Sequence, residues 1–255
     1  MSQMPPIDDP YSEVMLAEAK RQIAAAHGDT LSIGQDCYDK LCHQLAGVEY
    51  EVGTAEEAAF ALSARILELS AMALLCLRSG SVPAAKILTR SILESSYKVC
   101  AIRREPKNVE QFVNDEIAAR LLLNKKIHEY KKDKGSKAIA KGIEKKIDEL
   151  AAKKVKKIDP SEWSVRAGMV DFHRLFYPWL SSDIHGNAAA IDHYFDPERD
   201  YALHIGPSDI DLRMSVMILS RCLVAVLRVL NGALNEPPRE WLTGIETRLM
   251  ALEAG

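Results

Sequence analysis

The sequence contains none of the short motifs that mark the common enzyme classes. There is no phosphate-binding Walker loop, no Gly-x-Gly-x-x-Gly, no His-Glu-x-x-His and no Gly-x-Ser-x-Gly. These absences argue against P-loop nucleotide hydrolases, dinucleotide-dependent oxidoreductases, zinc metalloproteases and α/β-hydrolases. Aromatic residues are also few, at 6% of the 255 residues.

Cysteine is sparse, and its spacing does not fit a metal site. The five cysteines are odd in number and lie mostly in apolar helical patterns, which is typical of buried thiols in a reducing compartment. Cys37 and Cys42, followed by His43, have the wrong spacing for a zinc knuckle and have no second pair. His173, like the other histidines near it, fits no known ligand set. We therefore expect neither a metal nor another cofactor.

Long uncharged apolar runs are missing as well. The two most apolar stretches, residues 58–77 and 214–234, are each interrupted by two charged side chains, which are costly inside a bilayer. Residues 1–10 lack the basic segment and apolar run of a signal peptide. We expect a soluble, cytoplasmic protein without membrane contact.

Apolar residues at helical spacing recur through the chain, and no segment alternates like a strand. The predicted fold class is therefore all-α, a helical bundle. Residues 1–50 are predicted to be an N-terminal helical lead with helices near 11–26 and 31–45, and residues 51–255 the bundle domain. Thr54 with Glu57 forms a capping box that predicts a helix to about residue 77. Another helix is predicted after Trp163, interrupted at Pro178 and ending near residue 186.

A segment of different character, residues 107–157, is long, helical and highly charged. Ile139, Ile143, Ile147 and Leu150 follow spacings of four, four and three, which is typical of a helix packed on one neighbour. We predict an antiparallel helical hairpin that protrudes from the bundle.

This predicted hairpin is basic and the rest of the chain is acidic. Residues 120–157 hold 14 Lys and Arg against 5 Asp and Glu, a charge of +9, whereas the remainder carries −12. Three interpretations stay open: a solvated helical face, a surface for a nucleic-acid backbone, or one for an acidic protein partner such as a second subunit. The candidate nucleic-acid-binding residues are Lys125, Lys126, Lys131, Lys132, Lys141, Lys145 and Lys146.

Two places carry candidate catalytic residues. Arg90 and Glu94 lie four apart on an otherwise apolar helix, where they form either an ion pair or part of a site. Tyr177 begins a stretch in which Ser181 and His185 also lie four apart and can share a helix face. His185 is the natural general base, because histidine titrates near neutral pH; alternatively it bonds the end of its own helix.

These two places also carry a family likeness. The residues Thr-Arg-Ser-Ile-Leu-Glu at 89–94, Trp-Ser at 163–164 and Tyr-x-x-Leu-Ser-x-x-x-His-Gly at 177–186 resemble the motifs of a widespread bacterial family of helical proteins. That family is defined only as a domain of unknown function, and the likeness covers roughly residues 58–234. It implies that the Arg-x-x-x-Glu helix and the Ser-x-x-x-His helix end meet.

The family is in turn similar to the HEPN superfamily, whose active members are metal-independent ribonucleases of toxin and phage-defence systems. Those enzymes use an Arg-x(4–6)-His pair in one helix. Here the arginine nearest before His185 is Arg174, eleven residues away, so an equivalent pair requires Arg90 from another helix.

Two functions follow from the sequence as expectations. One is an RNA-directed protein of a bacterial stress or phage-defence system, acting as a metal-independent ribonuclease. The alternative is a non-catalytic protein-interaction module in which the polar cluster is structural and the basic hairpin docks an acidic partner. A homo-oligomer is expected in either case.

Overall fold

The computed structural model describes residues 12–133, 137–182, 195–196, 202–203, 206–234 and 239–254. In these residues the nine helices are α1 (Glu13–Leu45), α2 (Ala55–Arg78), α3 (Val82–Arg104), α4 (Asn108–Asp133), α5 (Lys137–Ala151), α6 (Pro160–Ala167), α7 (Val170–Ser182), α8 (Leu212–Leu234) and α9 (Arg239–Ala254). Two strands of two residues each, β1 (Phe195–Asp196) and β2 (Ala202–Leu203), pair antiparallel. The all-α prediction is confirmed.

Helix α3 lies at the centre of the bundle. It packs against α2, α6, α7 and α8, and α1 covers α2 and α8 from outside. The core side chains of α3, such as Ile92, Leu93 and Val99, are fully buried, as are Leu219 and Leu223 of α8. A helix buried on several sides must find partners for its polar side chains inside the bundle, and this places the candidate site on α3.

The two helices predicted near residues 11–26 and 31–45 follow each other as α1 and meet at a kink within it. Helix α1 is kinked at His27, whose φ of −129° is not helical. The His27 imidazole lies 2.8 Å from the Asp209 carboxylate in the segment before α8. The division of the chain at residue 50 stays a prediction.

Local capping explains where several helices begin. The Thr54 hydroxyl accepts a hydrogen bond from the Glu57 amide, and the Glu57 carboxylate accepts one from the Gly53 amide. The Asp159 carboxylate accepts a hydrogen bond from the Glu162 amide at the start of α6. Pro160 follows in the first turn, where its missing N–H costs nothing.

The region after Trp163 differs from the prediction. Trp163 lies inside α6, which ends at Ala167. Gly168 is the C-cap of this helix, and its left-handed φ of +67° favours glycine. Helix α7 then runs through Pro178 and ends at Ser182. The predicted single helix interrupted at Pro178 is therefore wrong: the break comes ten residues earlier. Residues 183–186 of that prediction lie outside the described residues.

Helices α4 and α5 follow each other and are in contact. The His128 imidazole lies 3.3 Å from the Glu144 carboxylate, and the Gln111 side chain donates to the carbonyl of Lys156. The earlier residue of α4 contacts the later residue of the second segment, so the two segments run antiparallel. Neither helix buries many side chains: Asn108 and Asp115 are the buried residues of α4. That this pair protrudes from the bundle as a hairpin stays a prediction.

The Asp115 carboxylate joins α4 to the start of α6. It accepts hydrogen bonds from the Ile158 amide at 3.0 Å, from the Trp163 indole at 2.7 Å and from the Gln111 side chain at 2.8 Å. Asp115 and Trp163 are both buried, so these bonds are shielded from water.

Of the described helices, α2 alone is long and apolar enough to cross a membrane, with a mean hydropathy of 1.8 over 18 residues. Core helices of soluble proteins meet the same criterion, and α2 packs along its inner face against α1 and α3. The cytoplasmic location stays a prediction.

Candidate functional site

A ladder of polar side chains lines the contact between α3 and α7. On α3 it consists of Lys86, Arg90, Glu94 and Tyr97, which share one face because their spacing is four, four and three. Their partners on α7 come in the reverse order along the chain, so the two helices run antiparallel here.

Three of the predicted site residues meet in the middle of this ladder. The Arg90 guanidinium donates to the Tyr177 hydroxyl at 2.7 Å, and that hydroxyl donates to the Glu94 carboxylate at 2.9 Å. The Nε of Arg90 also lies 3.3 Å from the same carboxylate oxygen. Arg90, Glu94 and Tyr177, hereafter the Arg–Glu–Tyr cluster, therefore form a closed network of one cation, one anion and one phenol.

The Arg–Glu–Tyr cluster lies at the edge of the bundle. The Arg90 side chain is 19% exposed and that of Glu94 33% exposed. Burial raises the pKa of Tyr177; the hydrogen bond with Arg90 opposes this rise and the one with Glu94 adds to it. The Tyr177 hydroxyl therefore keeps its proton at neutral pH and acts as a donor.

His173 extends the ladder from the cluster toward the interior. Its ring stacks on the Tyr177 ring with centroids 4.5 Å apart, and its Nδ1 lies 3.2 Å from the Tyr97 hydroxyl. Tyr97 is fully buried, and Nδ1 is the only hydrogen-bond partner its hydroxyl has among the described residues. The Tyr97 hydroxyl therefore donates to Nδ1, which leaves the proton of the neutral ring on Nε2. Burial lowers the pKa of His173, with Asp159 and Glu94 acting in the opposite direction.

Lys86 forms the other end of the ladder. Its side chain is 2% exposed, its ammonium lies 3.4 Å from the Asp211 carboxylate, and the same ammonium lies 3.9 Å from the centre of the Trp179 ring. An anion or an aromatic face beside a buried ammonium group offsets the free-energy cost of moving that group out of water. Asp211 adopts a left-handed φ of +64° directly before α8. The ladder thus links α3, α7 and the start of α8.

Of the two remaining predicted catalytic residues, Ser181 does not join the cluster. The Ser181 hydroxyl donates to the Tyr177 carbonyl at 2.6 Å, one turn back in its own helix. His185 lies outside the described residues.

Four further residues of the ladder were not predicted as site residues: Lys86, Tyr97, Trp179 and Asp211. His173 was considered only as a metal ligand. A usable signal was present for α3, because Lys86 and Tyr97 continue the spacing of Arg90 and Glu94 on one helix face. Within the part of the chain that the structure describes, no group of three metal-ligating side chains comes together.

The candidate nucleic-acid-binding lysines lie on α4 and α5. Six of them are exposed and Lys131 is half-buried. None of the seven forms an ion pair with a residue that the structure describes. We call these seven residues the lysine surface: Lys125, Lys126, Lys131, Lys132, Lys141, Lys145 and Lys146.

The fold and the ladder define an all-helical bundle organised around an Arg-x-x-x-Glu helix. The family model of a "Family of unknown function (DUF5677)" matches residues 56–202, more than half of the chain. The chain belongs to this family, as its sequence motifs indicated. Searches of curated proteins and of solved structures found no match.

Proposed function

We propose that this chain is an RNA-directed protein of a bacterial stress or phage-defence system. In this proposal the lysine surface holds the RNA backbone and the α3–α7 ladder lies at the reaction site. The distant likeness to the HEPN ribonucleases belongs to the same proposal.

The observation that supports RNA binding is that the lysine surface lacks ion pairs with the described residues. Seven ammonium groups lie on two consecutive helices without a carboxylate partner among the described residues. A solvated helical face normally pairs many of its lysines with acids one turn away. Unpaired lysines at this density attract a polyanion, since each phosphate contact releases a bound counterion. With Tyr130 as the one aromatic residue of this surface, the contact is to backbone rather than to bases.

In the catalytic form of the proposal, His185 removes the proton from a ribose 2′-hydroxyl. The O2′ then attacks the adjacent phosphorus, the bond from phosphorus to the 5′-oxygen of the next nucleotide breaks, and a 2′,3′-cyclic phosphate forms. The leaving 5′-oxygen takes up a proton from water, and His185 returns its proton to water. Arg90 neutralises the phosphate, and Glu94 and Tyr177 hold Arg90 in place. Ser181 lies four positions before the base in the sequence. No metal takes part, so cleavage is expected to persist in a chelator.

A second function is favoured by the closed Arg–Glu–Tyr cluster. All three groups bond one another, and the Ser181 hydroxyl bonds its own helix. Such a network can be a structural link between α3 and α7 in a non-catalytic interaction module whose lysine surface docks an acidic protein.

One experiment separates these two functions. Labelled single-stranded RNA is incubated with the wild-type chain, with His185→Ala and with Arg90→Ala, in the presence of a chelator, and the melting temperature of each protein is measured. The catalytic form predicts cleavage by the wild type that both variants lose, with little change in stability. The structural form predicts no cleavage and a loss of about 1–3 kcal/mol in Arg90→Ala, because Glu94 loses its cation.

Arg174→Ala is the matched control, because Arg174 lies on the same helix pair but is 75% exposed. It should leave both cleavage and melting temperature unchanged. RNA that stays intact with the wild type, under conditions where the chain binds it, rules out the catalytic form.

A further inference from the structure

The outward face of α2 is unusually apolar for a surface. Only 39% of its most apolar 18-residue window is buried. Ala61, Arg65, Glu68, Met72 and Leu75 follow one another at spacings of four, three, four and three and are all exposed, so they form one stripe along the helix. Met72 is 50% exposed and Leu75 is 53% exposed. We call these five residues the α2 stripe.

The centre of the α2 stripe holds two opposite charges. Arg65 and Glu68 are exposed, and neither forms an ion pair or hydrogen bond with any residue of the chain that the structure describes. Ala61 lies on the N-terminal side of this pair, and the larger Met72 and Leu75 lie on its C-terminal side. From the N-terminal to the C-terminal end, the stripe therefore presents a small side chain, then two charged side chains, then two large apolar side chains.

We infer that the α2 stripe is the interface of a homodimer, in which two copies of α2 pack antiparallel about a two-fold axis between positions 65 and 68. In this register Arg65 faces Glu68 of the partner, and Glu68 faces Arg65 of the partner. Met72 comes opposite the partner's Ala61, and Leu75 opposite the partner's Ala58. Because of the two-fold symmetry each contact occurs twice. The interface therefore has two Arg65–Glu68 ion pairs, and each Met72 and each Leu75 packs against an alanine of the partner subunit.

Charge complementarity selects a second copy in this orientation. A parallel pairing about a two-fold axis places Arg65 against Arg65 and Glu68 against Glu68, which is unfavourable. Pairing through α4 and α5 instead brings two regions of +9 together. The antiparallel α2 pairing avoids both repulsions.

The flanks of the stripe supply additional contact area. Helix α2 with its 24 residues is about 36 Å long, and one helix face alone is small for a stable interface. Beside Leu75 lies a groove of about 560 Å³ between α1 and α2. Ala24, Gly28 and Leu31 line its apolar part, and Lys20, Gln35, Asp36 and Arg78 also line it. In the antiparallel register the partner's Val52, which is 79% exposed before α2, reaches this end of the helix. The partner's Val52 and the apolar part of this groove thus lie at the same end of the helix pair.

Charge reversal tests this dimer. The oligomeric mass of the full chain is measured by sedimentation equilibrium for the wild type, Arg65→Glu, Glu68→Arg and the double variant carrying both changes. We expect a dimer for the wild type, monomers for both single variants, and a dimer again for the double variant, in which every pair is reversed together. An equimolar mixture of the two single variants should form a heterodimer, because each restores the other's partners.

Glu149→Arg on α5 is the control, since Glu149 is an exposed acid outside the stripe, and it should remain a dimer. Melting temperatures establish that every variant is folded. A monomeric wild type, or single variants that dimerise as tightly as the wild type, overturns the inference. So does a wild type that stays monomeric and sediments with zwitterionic lipid vesicles, because the stripe then faces a membrane. The inference does not depend on RNA binding.

Discussion

At the scale of single residues, the hydroxyl of Tyr177 determines how Arg90 and Glu94 are held. Arg90 and Glu94 are already neighbours on α3, but a half-exposed ion pair at helical spacing stabilises by only a few tenths of a kcal/mol. The hydroxyl accepts from one and donates to the other, so it ties both to α7. The position of Arg90 depends on this bridge. That holds whether Arg90 binds a phosphate or only stabilises the fold.

His173 gives the fold a pH dependence at the same scale. Its pKa is lowered in the folded chain, so below the ordinary value of 6.5 the unfolded chain takes up a proton more readily than the folded one. Stability is therefore lost as the pH falls through 6.5 toward the folded pKa. We expect the melting temperature of His173→Gln to fall less steeply than that of the wild type over this range.

His43→Gln is the control, because His43 is exposed at the end of α1. The comparison is of slopes against pH, so a constant loss of stability in either variant does not matter. A slope for His173→Gln as steep as the wild-type slope would show that His173 takes up its proton equally easily in both states.

At the scale of elements, Asp115 determines how α4 is attached to the bundle. Helix α4 has few buried side chains, so its attachment rests largely on two of them. Asp115 accepts from the Ile158 amide and the Trp163 indole. Asn108 donates to the Ala101 carbonyl and accepts from Arg166. The lysine surface is held relative to the ladder through this contact between α4 and α6.

Replacing Asp115 by Ala leaves the Ile158 amide and the Trp163 indole buried without an acceptor. We expect the free energy of unfolding to fall by about 2–4 kcal/mol, as measured by urea denaturation. Asp148→Ala on the exposed side of α5 should change it by less than about 0.5 kcal/mol. Equal effects of the two substitutions would mean that the hydrogen bonds of Asp115 contribute nothing.

At the scale of the whole molecule, interactions local in sequence were predictable and distant ones were not. The Thr54–Glu57 cap is set within one turn and was predicted. The start of α6 at Pro160 is equally local, but the helix was predicted only after Trp163. The break at Gly168 was missed, because glycine is also tolerated inside helices and only the backbone shows its left-handed φ.

The candidate site divides in the same way. The spacing of four between Arg90 and Glu94 on one helix predicted that they are neighbours, and the family motif indicated Tyr177 as a site residue. The contact of Lys86 with Asp211 joins residues 125 positions apart, and no local pattern signals it. The charge difference between α4–α5 and the rest was visible in composition alone. That no carboxylate of the described residues pairs with the seven lysines of the lysine surface required the structure.

The most direct test of the RNA-directed function is the salt dependence of RNA binding. The association constant of the wild-type chain with single-stranded RNA is measured at several salt concentrations, beside the variant Lys141→Gln, Lys145→Gln, Lys146→Gln. A control variant neutralises three cations elsewhere, at Lys20, Lys40 and Arg174. The account predicts that log K falls linearly with log salt, and that losing three phosphate contacts makes the slope shallower by about 2, at about 0.7 per contact. The control should keep the wild-type slope. A lysine variant with the wild-type slope, or a wild type that does not bind RNA at low salt, would contradict the account.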